Sequence, residues 1–558
     1  MKIMKVYALS FFFIALIGKL LAQPLPDSTI KKINNIVGSR VKPSNPGFAI
    51  GIIKHDSLVY AKAFGMANLE CDLPISVTTN FDIASMAKQF TAFCIFLLEK
   101  QQKLQIDDDI RKYLPWFPDL KYNITIRDLL YQTSGVRDYL ILQQIAGTRL
   151  DDVVPPGYII KLLSKQQRLN YQPGSLYSYS NSNYFLLDEI VKTVSGQSFH
   201  AFADSAIFKP LGMTTTYFQD DYSEIHKYRS HSYDRIDSTH FANSLSSGGG
   251  LYTNIVDLSK WLINFNKHMV WDEGTIKKLT TKIRIPDGRE LQFVPGNILF
   301  TYYGWLQYYF SGVSAGYRSH QIYYPDLKTG FILLSNVSDF FNKGNPVYDL
   351  IEFLVPKDTT NWNTIPKTWV DSTNTLLKNP QDYQEFTGDY VSDQAGLLQR
   401  FELVNNKMYV YSNGTEKILG EFSKDTFMFL QNTEYRYVFN RNGKEPTISM
   451  LTTNQEDFTF RKYVKDTSSL PAKLQIYQGR YFCPELDCFY NIELKKGGLY
   501  LTSSKYDDIP IGFIGRDHLS TPNWWMSHLV MIRDGKNQIN GFEVNSGRVM
   551  HLYFKKVG

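Results

Sequence analysis

The chain has 558 residues, more than one hydrophobic core usually supports, so two or three domains are expected. A hydrophobic fraction of 43% excludes wholesale disorder. The net charge of +6, without a dense block of Lys or Arg, argues against nucleic acid as a partner. The ten His and four Cys show no zinc spacing, so no metal and no other cofactor is predicted.

The N-terminal segment has the layout of a secretory signal. Lys2 and Lys5 precede an apolar run over residues 6–17, and Ala22 offers a small residue for cleavage. This order predicts a signal peptide over residues 1–22 and export to the periplasm or beyond. The alternative is an uncleaved membrane anchor, although the run is short for a bilayer span.

Export permits disulfides, and the chain has four Cys. Cys483 and Cys488 flank a four-residue loop and could close a small ring, but the sequence does not decide whether they are joined. Cys94 lies in a strongly apolar helical run and is expected to be buried.

Residues 45–355 have a mixed α and β pattern. An early hairpin is predicted over 48–53 and 58–64, and strands return between 307 and 337. Helical stretches are predicted at 84–101, 124–132, 183–195 and 255–266. Strands at both ends with helices between them predict an α+β domain over 30–356, with one sheet completed by both ends.

The pattern changes after Pro356. Residues 357–380 are polar and are predicted to be a linker. Short aromatic-rich alternating runs with Asn-Gly and Gly-Gly turns follow, which is typical of antiparallel β-structure. Phe-Thr-Gly-Asp-Tyr at 386–390 returns as Tyr-Gln-Gly-Arg-Tyr at 477–481, a period of 91 residues. Two similar β-domains are therefore predicted, over 381–466 and 467–558.

Ser85 and Lys88 stand at the beginning of an apolar helical segment. Their spacing puts both side chains on one helix face, about one turn apart. Burial disfavours the charged form of a lysine, so Lys88 could accept the proton of Ser85 near neutral pH. Alone, the pair is as well explained by a helix cap and a lysine whose amine reaches solvent.

A second cluster contains Tyr179 and Asn181, after a Pro-Gly turn and before an apolar helix. A tyrosine can act as a general base where a nearby ammonium favours the phenolate, and Lys88 would be that ammonium. The Asn181 amide could hold Lys88 and a substrate carbonyl. The alternatives are a packed aromatic residue and a helix cap.

Ser85-x-x-Lys88 followed by Tyr179-Ser-Asn181 resembles the serine β-lactamase and penicillin-binding protein family, especially its class C, D-aminopeptidase and esterase branch. Flanking segments that resemble the family lie at 124–135, 207–213 and 246–254. The resemblance covers about residues 30–355. It implies a β-lactamase/transpeptidase-like fold and catalysis by Ser85, Lys88, Tyr179 and Asn181.

The third family motif, Lys or His followed after one residue by Gly, departs here. Phe310-Ser311-Gly312 occupies the place, so the cation that would bind a substrate carboxylate is missing. The resemblance still implies an oxyanion hole from the N–H groups of Ser85 and Val313, and substrate contacts at Ser311 and Gly312.

Three other side chains are candidates for the missing cation. Arg318 is predicted to bind substrate, and His320 and His231 could also substitute. For each of the three, a solvated or capping side chain is the alternative.

The expected function is acyl transfer on an amide, ester or lactam bond of a peptide or small molecule. Phe310 disfavours substrates with a free carboxylate and favours an esterase or aminopeptidase-like activity. The alternative is a weakened pseudoenzyme that binds or senses through its β-domains. These domains resemble the paired barrels of some D-aminopeptidases, and Trp524 and Trp525 could stack on sugars or simply pack in a core.

Overall fold

The structure is a computed structural model that describes residues 25–149, 152–219, 223–237, 240–242, 250–358, 376–392, 396–412, 415–429, 435–441, 443, 445–452, 458–463, 474–515 and 517–558. The signal peptide predicted over 1–22 lies outside these residues. So do most of the linker predicted over 357–380 and residues 246–249 of the third flanking segment.

The first domain contains helices and strands in alternation. In chain order they are α1 (Asp27–Gly38), β1 (Phe48–Lys54), β2 (Ser57–Phe64), β3 (Met66–Asn68), β4 (Leu73–Pro74), β5 (Phe81–Asp82), α2 (Lys88–Lys100), α3 (Ile126–Leu130), α4 (Tyr139–Ile145), α5 (Pro156–Ser164), α6 (Asn181–Ser195), α7 (Phe199–Ala203), α8 (Lys209–Leu211), β6 (Tyr217–Phe218), β7 (Leu251–Thr253), α9 (Ile255–Lys267), α10 (Glu273–Lys278), β8 (Phe293–Val294), β9 (Asn297–Tyr302), β10 (Trp305–Ser314), β11 (Tyr317–Tyr324), β12 (Thr329–Ser335) and α11 (Pro346–Leu354).

A seven-stranded antiparallel sheet runs in the order β2-β1-β12-β11-β10-β9-β8. The early hairpin joins the late strands through β1 and β12, where Phe48 pairs with Ser335 and Lys54 with Thr329. The predicted sheet completed by both ends is therefore confirmed.

Helix α2 is buried from Lys88 to Leu98, and apolar residues cover nearly every face of it between Phe90 and Leu98. Its Gln89 ties it to two neighbours: the side-chain oxygen accepts hydrogen bonds from Trp261 Nε1 at 2.8 Å and Gln321 Nε2 at 3.0 Å. The first bond joins α2 to α9, and the second joins it to the sheet. The turn that precedes α2 is held in a fixed position against the strands.

Two closed eight-stranded antiparallel barrels follow. The first barrel consists of β13 (Gly388–Ser392), β14 (Leu397–Val404), β15 (Lys407–Ser412), β16 (Thr415–Ser423), β17 (Thr426–Phe429), β18 (Tyr435–Asn440), β19 (Thr447–Thr452) and β20 (Phe458–Tyr463). The second consists of β21 (Gly479–Cys483), β22 (Cys488–Lys495), β23 (Gly498–Thr502), β24 (Ile509–Gly515), β25 (His518–Ser520), β26 (His528–Arg533), β27 (Ile539–Ser546) and β28 (Val549–Lys556).

The sequence repeat corresponds to equivalent positions in the two barrels. Tyr390 and Tyr481, the last residues of the repeated segments, are both fully buried on the first strand of their barrel. Each pairs with a lysine on the strand that closes the barrel, Lys462 in the first and Lys556 in the second. The prediction of two repeated antiparallel β-domains is confirmed in fold.

The second barrel docks on the first domain. Its buried apolar residues form one continuous cluster with those of the first domain, whereas the first barrel has a cluster of its own. A buried ion pair joins Arg137 Nη1 to Glu485 Oε2 at 2.7 Å, with side-chain exposures of 0% and 5%. Arg137 also donates to the carbonyl oxygens of Met550 and His551, both at 2.9 Å.

The exposure of Trp524 and Trp525 and the state of three cysteines can be compared with the predictions. Trp525 is buried against Tyr506, whereas Trp524 is about half exposed, so only one of the two could contact a ligand. Cys94 is buried, as expected. Cys483 and Cys488 lie opposite each other on β21 and β22 and are free thiols. Among the described residues, no helix is long and apolar enough to cross a membrane.

Candidate active site

Ser85 lies in a 3₁₀ turn over Ala84–Ala87, between β5 and α2. Ala84 has φ of 50°, a left-handed conformation that is strained for a residue with a side chain. Its N–H donates to Asp82 Oδ1 at 2.8 Å, and burial raises the pKa of Asp82 to about 6. The chain before Ser85 is thus held in an unusual conformation, as at many functional sites.

The structure brings Ser85, Lys88, Tyr179 and Asn181 together. Tyr179 Oη lies 2.8 Å from Ser85 Oγ, and Lys88 Nζ donates to the same Oγ at 3.3 Å. Lys88 Nζ also donates to Asn181 Oδ1 at 3.1 Å. The Lys88 side chain is buried, which is uncommon for a lysine. The hydroxyl of Ser85 therefore faces two groups that can exchange a proton with it.

Asp138 orients Asn181. Its Oδ2 accepts hydrogen bonds from the backbone N–H and from Nδ2 of Asn181, both at 2.9 Å. With Nδ2 turned to the carboxylate, Oδ1 faces Lys88. Asp138 caps α4 through the N–H of Leu140 and is buried. Sequence reasoning missed it, although an Asp just after the segment at 124–135 is a helix-capping signal.

Gln132 positions the segment that carries Tyr179. Its side-chain oxygen accepts from the N–H of Ser180 at 2.8 Å, and its carbonyl oxygen accepts from the N–H of Ser178 at 3.0 Å. Gln132 belongs to the segment at 124–135 on which the resemblance partly depends. That segment is therefore a support for the residues next to Ser85.

Strand β10 passes close to the turn that contains Ser85. It pairs with β9 only as far as Tyr309, so residues 310–314 form an edge. A Cβ atom on Gly312 would lie 2.1 Å from the carbonyl oxygen of Ile83, which only glycine avoids. This approach brings Gly312, and with it the neighbouring Val313, against the residues that precede Ser85.

Side-chain alternation on β11 separates two sets of residues. Ser319 donates to the Ile83 carbonyl at 2.8 Å and Gln321 donates to α2, so both side chains lie on the face of the sheet toward Ser85. Arg318 and His320, at the alternate positions, lie on the opposite face. The rings of Phe341 and Tyr348 flank His320 there.

The structure therefore does not bring Arg318 to Ser85, which corrects its assignment as a substrate contact. Its guanidinium donates to the carbonyl oxygens of Ala315 and Tyr317 in its own turn. Burial lowers the pKa of His320 to about 3, which leaves the ring neutral. His231 lies against Phe241, and burial lowers its pKa too.

The other residues near position 310 form an aromatic wall. Phe310 is only 4% exposed and packs on Phe293, with ring centroids 6.2 Å apart. Phe293 in turn contacts Tyr177 at 5.5 Å and Tyr179 at 6.3 Å. Ser311, the residue after Phe310, pairs with His320 on the opposite face of the sheet, where its hydroxyl accepts a hydrogen bond from Tyr309 at 3.1 Å. The structure therefore does not bring the Ser311 side chain to Ser85, which corrects its assignment as a substrate contact. Phe310 and Phe293 lie on the Ser85 side. This side of the site has apolar character where the family motif would place a cation.

A cation reaches the site from the second barrel. Arg548 lies in the turn between β27 and β28, and its guanidinium carbon lies 4.7 Å from the ring centroid of Tyr179. Its Nη1 lies 3.8 Å from Asp138 Oδ2. Sequence reasoning missed Arg548, and no motif marks it, because the contact depends on how the barrel docks.

Comparison with known proteins identifies the family. Residues 30–351, more than half of the chain, match the Beta-lactamase family. The protein Flp of Staphylococcus aureus strain N315 is 31% identical over 204 residues, which cover 35% of this chain and 39% of Flp. A D-aminopeptidase of Brucella anthropi is 32% identical over 169 residues, which cover 30% of this chain and 32% of the aminopeptidase. The chain thus matches less than half the length of these relatives.

Solved structures share the fold. The octameric penicillin-binding protein homologue from Pyrococcus abyssi matches with a TM-score of 0.52 and 22% identity, over 78% of this chain and 99% of the other. A penicillin-binding protein from Bacillus halodurans matches with a TM-score of 0.50 and 23% identity, over 58% of this chain and 98% of its own. The chain therefore belongs to the Beta-lactamase family, and its first domain has the β-lactamase/transpeptidase fold.

Proposed function

We propose that this protein is a serine hydrolase that cleaves amide bonds, and comparable esters, through an acyl-enzyme at Ser85. The observation that carries the proposal is the pair of contacts to Ser85 Oγ, from Tyr179 Oη at 2.8 Å and Lys88 Nζ at 3.3 Å. A serine is a weak nucleophile unless an adjacent group accepts its proton, and these two groups are in reach.

The proton can be followed through both half-reactions. To act as a base, the pair of Tyr179 and Lys88 must start with one proton fewer than its fully protonated form. It then accepts the Ser85 proton while Ser85 Oγ bonds to the carbonyl carbon of the substrate. The pair gives this proton to the leaving nitrogen as the C–N bond breaks. A water molecule then transfers a proton to the pair and attacks the acyl ester. Ser85 recovers a proton when the acid leaves.

The negative charge on the carbonyl oxygen needs donors in each half-reaction. We assign this role to the backbone N–H groups of Ser85 and Val313. Support comes from the close approach of Gly312 to Ile83, which brings the edge of β10 against the turn that contains Ser85. Because backbone donors in such a site are fixed before the reaction, they need no reorganisation when charge develops.

Two points bear on the kind of bond that is cleaved. The relative from Brucella anthropi is a D-aminopeptidase, which supports a peptide amide bond as the substrate here. Ester cleavage follows from the same chemistry, since an ester has a better leaving group. A lactam would also acylate Ser85 if the site admits its ring.

The competing function is a pseudoenzyme that binds or senses through its barrels. Phe310 favours it, because the cation of the third motif is absent. The contacts among Ser85, Lys88, Tyr179 and Asn181 disfavour it, because binding by the barrels would not require them. Saturable binding of a glycan that Ser85→Ala does not change would support the pseudoenzyme.

The decisive experiment is active-site labelling of the full chain with a fluorophosphonate probe, and with a fluorescent penicillin in parallel. Ser85→Ala removes the proposed nucleophile. Ser44→Ala, at an exposed serine outside the site, is the matched control. Labelling that is lost only in Ser85→Ala, with the adduct located on Ser85 by mass spectrometry, supports the proposal. Absence of label from both probes on folded protein would overturn it.

We also propose export, on the basis of the signal-like segment at residues 1–22. Cell fractionation, combined with N-terminal sequencing of the protein recovered outside the cytoplasm, tests this. A mature N-terminus just after Ala22 supports export with cleavage. An intact N-terminus in the membrane fraction would support the anchor instead.

A further inference from the structure

We propose that Arg548, from the second barrel, is the substrate-recognising cation of this active site and binds a carboxylate on the leaving-group side of the substrate. This inference rests on the proposed acyl-transfer function. It assigns a specificity role to a barrel residue and gives the site a cation that its own third motif lacks.

The first support is the way the backbone of Arg548 is held. Its carbonyl oxygen accepts from the N–H of Asp138 at 3.1 Å and from Asn170 Nδ2 at 2.9 Å. Asn170 Oδ1 in turn accepts from the N–H of Met550 at 2.8 Å. The backbone of Arg548 is thus bonded to Asp138, which also orients Asn181, and to Asn170. A site residue on a rigid support can recognise a ligand with defined geometry.

The second support is the position of the side chain. The guanidinium lies over the ring of Tyr179, whose hydroxyl contacts Ser85. In the proposed mechanism Tyr179 and Lys88 return the proton to the leaving atom. The leaving group must therefore lie beside Tyr179 at that step, and a leaving group that extends along the Tyr179 ring would end at Arg548. A carboxylate there would meet the guanidinium.

The third support is chemical. A guanidinium presents several N–H donors in a planar fork that matches a carboxylate. The side chain of Arg548 is 40% exposed, so an incoming ligand can reach it. Asp138 Oδ2, at 3.8 Å, lies beyond direct hydrogen-bond distance and is itself 1% exposed. It attracts the guanidinium towards the site while it remains bonded to Asn181.

This assignment changes the expected substrate. Phe310 alone disfavours substrates with a free carboxylate, because that position carries no charge. With Arg548 beside Tyr179, the site favours an amide or ester whose leaving portion ends in a carboxylate, such as a peptide cleaved near its C-terminus. The aromatic wall of Phe293 and Phe310 would then contact an apolar part of the substrate rather than its charge.

The test compares two esters that differ in one charge, 4-acetoxybenzoate and its uncharged methyl ester. The quantity measured is the ratio of kcat/KM for the anionic ester to that for the neutral ester, with full-length protein. In Arg548→Gln this ratio should fall by about ten- to a hundredfold, as expected for the loss of a hydrogen bond between charged groups. Arg548→Lys keeps the charge but loses the planar guanidinium donors, so its ratio should lie between those of the wild type and Arg548→Gln.

Arg168→Gln is the matched control. Arg168 is an exposed cation at the same interface that pairs with Glu543 at 3.3 Å, and it lies outside the proposed site. Its ratio should equal that of the wild type. Thermal unfolding of each variant shows whether the protein remains folded, and Arg548→Lys carries the comparison if Arg548→Gln does not fold.

The outcomes separate the two proposals. If Ser85→Ala and the wild type hydrolyse neither ester, the proposed function fails. If the wild type hydrolyses both esters and Arg548→Gln shows the wild-type ratio, the role of Arg548 is refuted and the proposed hydrolase function is retained. The same holds for Arg548→Lys if that variant replaces Arg548→Gln. An equal fall in Arg168→Gln would also refute it, because general surface charge would then explain the preference.

Discussion

The buried pair between Arg137 and Glu485 should hold the second barrel on the first domain. Glu485 Oε2 accepts from Arg137 Nη1 at 2.7 Å and from the N–H of Gln167 at 2.9 Å. In Glu485→Gln the shape remains, but the buried guanidinium loses its counter-charge. Breaking a buried pair from one side costs about 3–5 kcal/mol. Because Arg137 keeps other acceptors, including Gln166, we expect about 3 kcal/mol, the lower end of that range.

Native-state hydrogen exchange measures this loss at the interface itself. The N–H groups of Asp138 and Met550 are bonded across the interface and exchange when the barrel opens. At about 1.4 kcal/mol for each factor of ten, their exchange should be about a hundredfold faster in Glu485→Gln.

The control is again Arg168→Gln, which removes an exposed pair of side chains that are 64% and 18% exposed. Exposed pairs contribute about 0–1 kcal/mol, so exchange should rise by about fivefold at most. Equal protection in the two variants would show that the buried pair contributes no more than a surface pair, and the reasoning would be refuted.

Two further predictions concern the site and its pH dependence. Gly312→Ala places a Cβ 2.1 Å from the Ile83 carbonyl oxygen, so β10 must move away from the turn that contains Ser85. Fluorophosphonate labelling of Ser85 should then slow at least about tenfold. An unchanged rate would exclude a role for this strand edge in the oxyanion hole. Burial raises the pKa of Asp188 to about 7 from an unfolded value of 3.8. Between these two values the folded state holds a proton that the unfolded state has lost, so the free energy of unfolding of the wild type falls as pH rises from about 4 to 7. Asp188→Asn should remove this loss and be more stable at pH 8 by up to about 4 kcal/mol in urea unfolding, whereas equal stability at pH 5 and pH 8 in the wild type would contradict the assignment.

The sequence predicted the parts of the site that depend on local patterns. Ser85 and Lys88 are one helical turn apart, and Tyr179 and Asn181 lie in a short motif, so their types and spacing carried the information. The barrels were also predictable, because a 91-residue repeat and frequent turn residues specify repeated antiparallel strands.

The sequence could not show what depends on the packing of distant segments. Arg318 was assigned to the site because it follows the third motif, but the alternation of β11 places it on the other face of the sheet. A capping signal marks Asp138 in the sequence, but its hydrogen bonds to Asn181 depend on the packing of two segments that are distant in the chain. Arg548 is 463 residues from Ser85 in the chain, and no periodicity connects the two.

That separation has a consequence during synthesis. Ribosomes add about 5–20 residues per second, so about 20–90 s pass between the addition of Ser85 and that of Arg548. An N-terminal domain generally folds while the rest of the chain is still being made. The proposed nucleophile and its proton-exchanging partners can thus assemble first, and selectivity for anionic substrates is added only when the last barrel closes and docks.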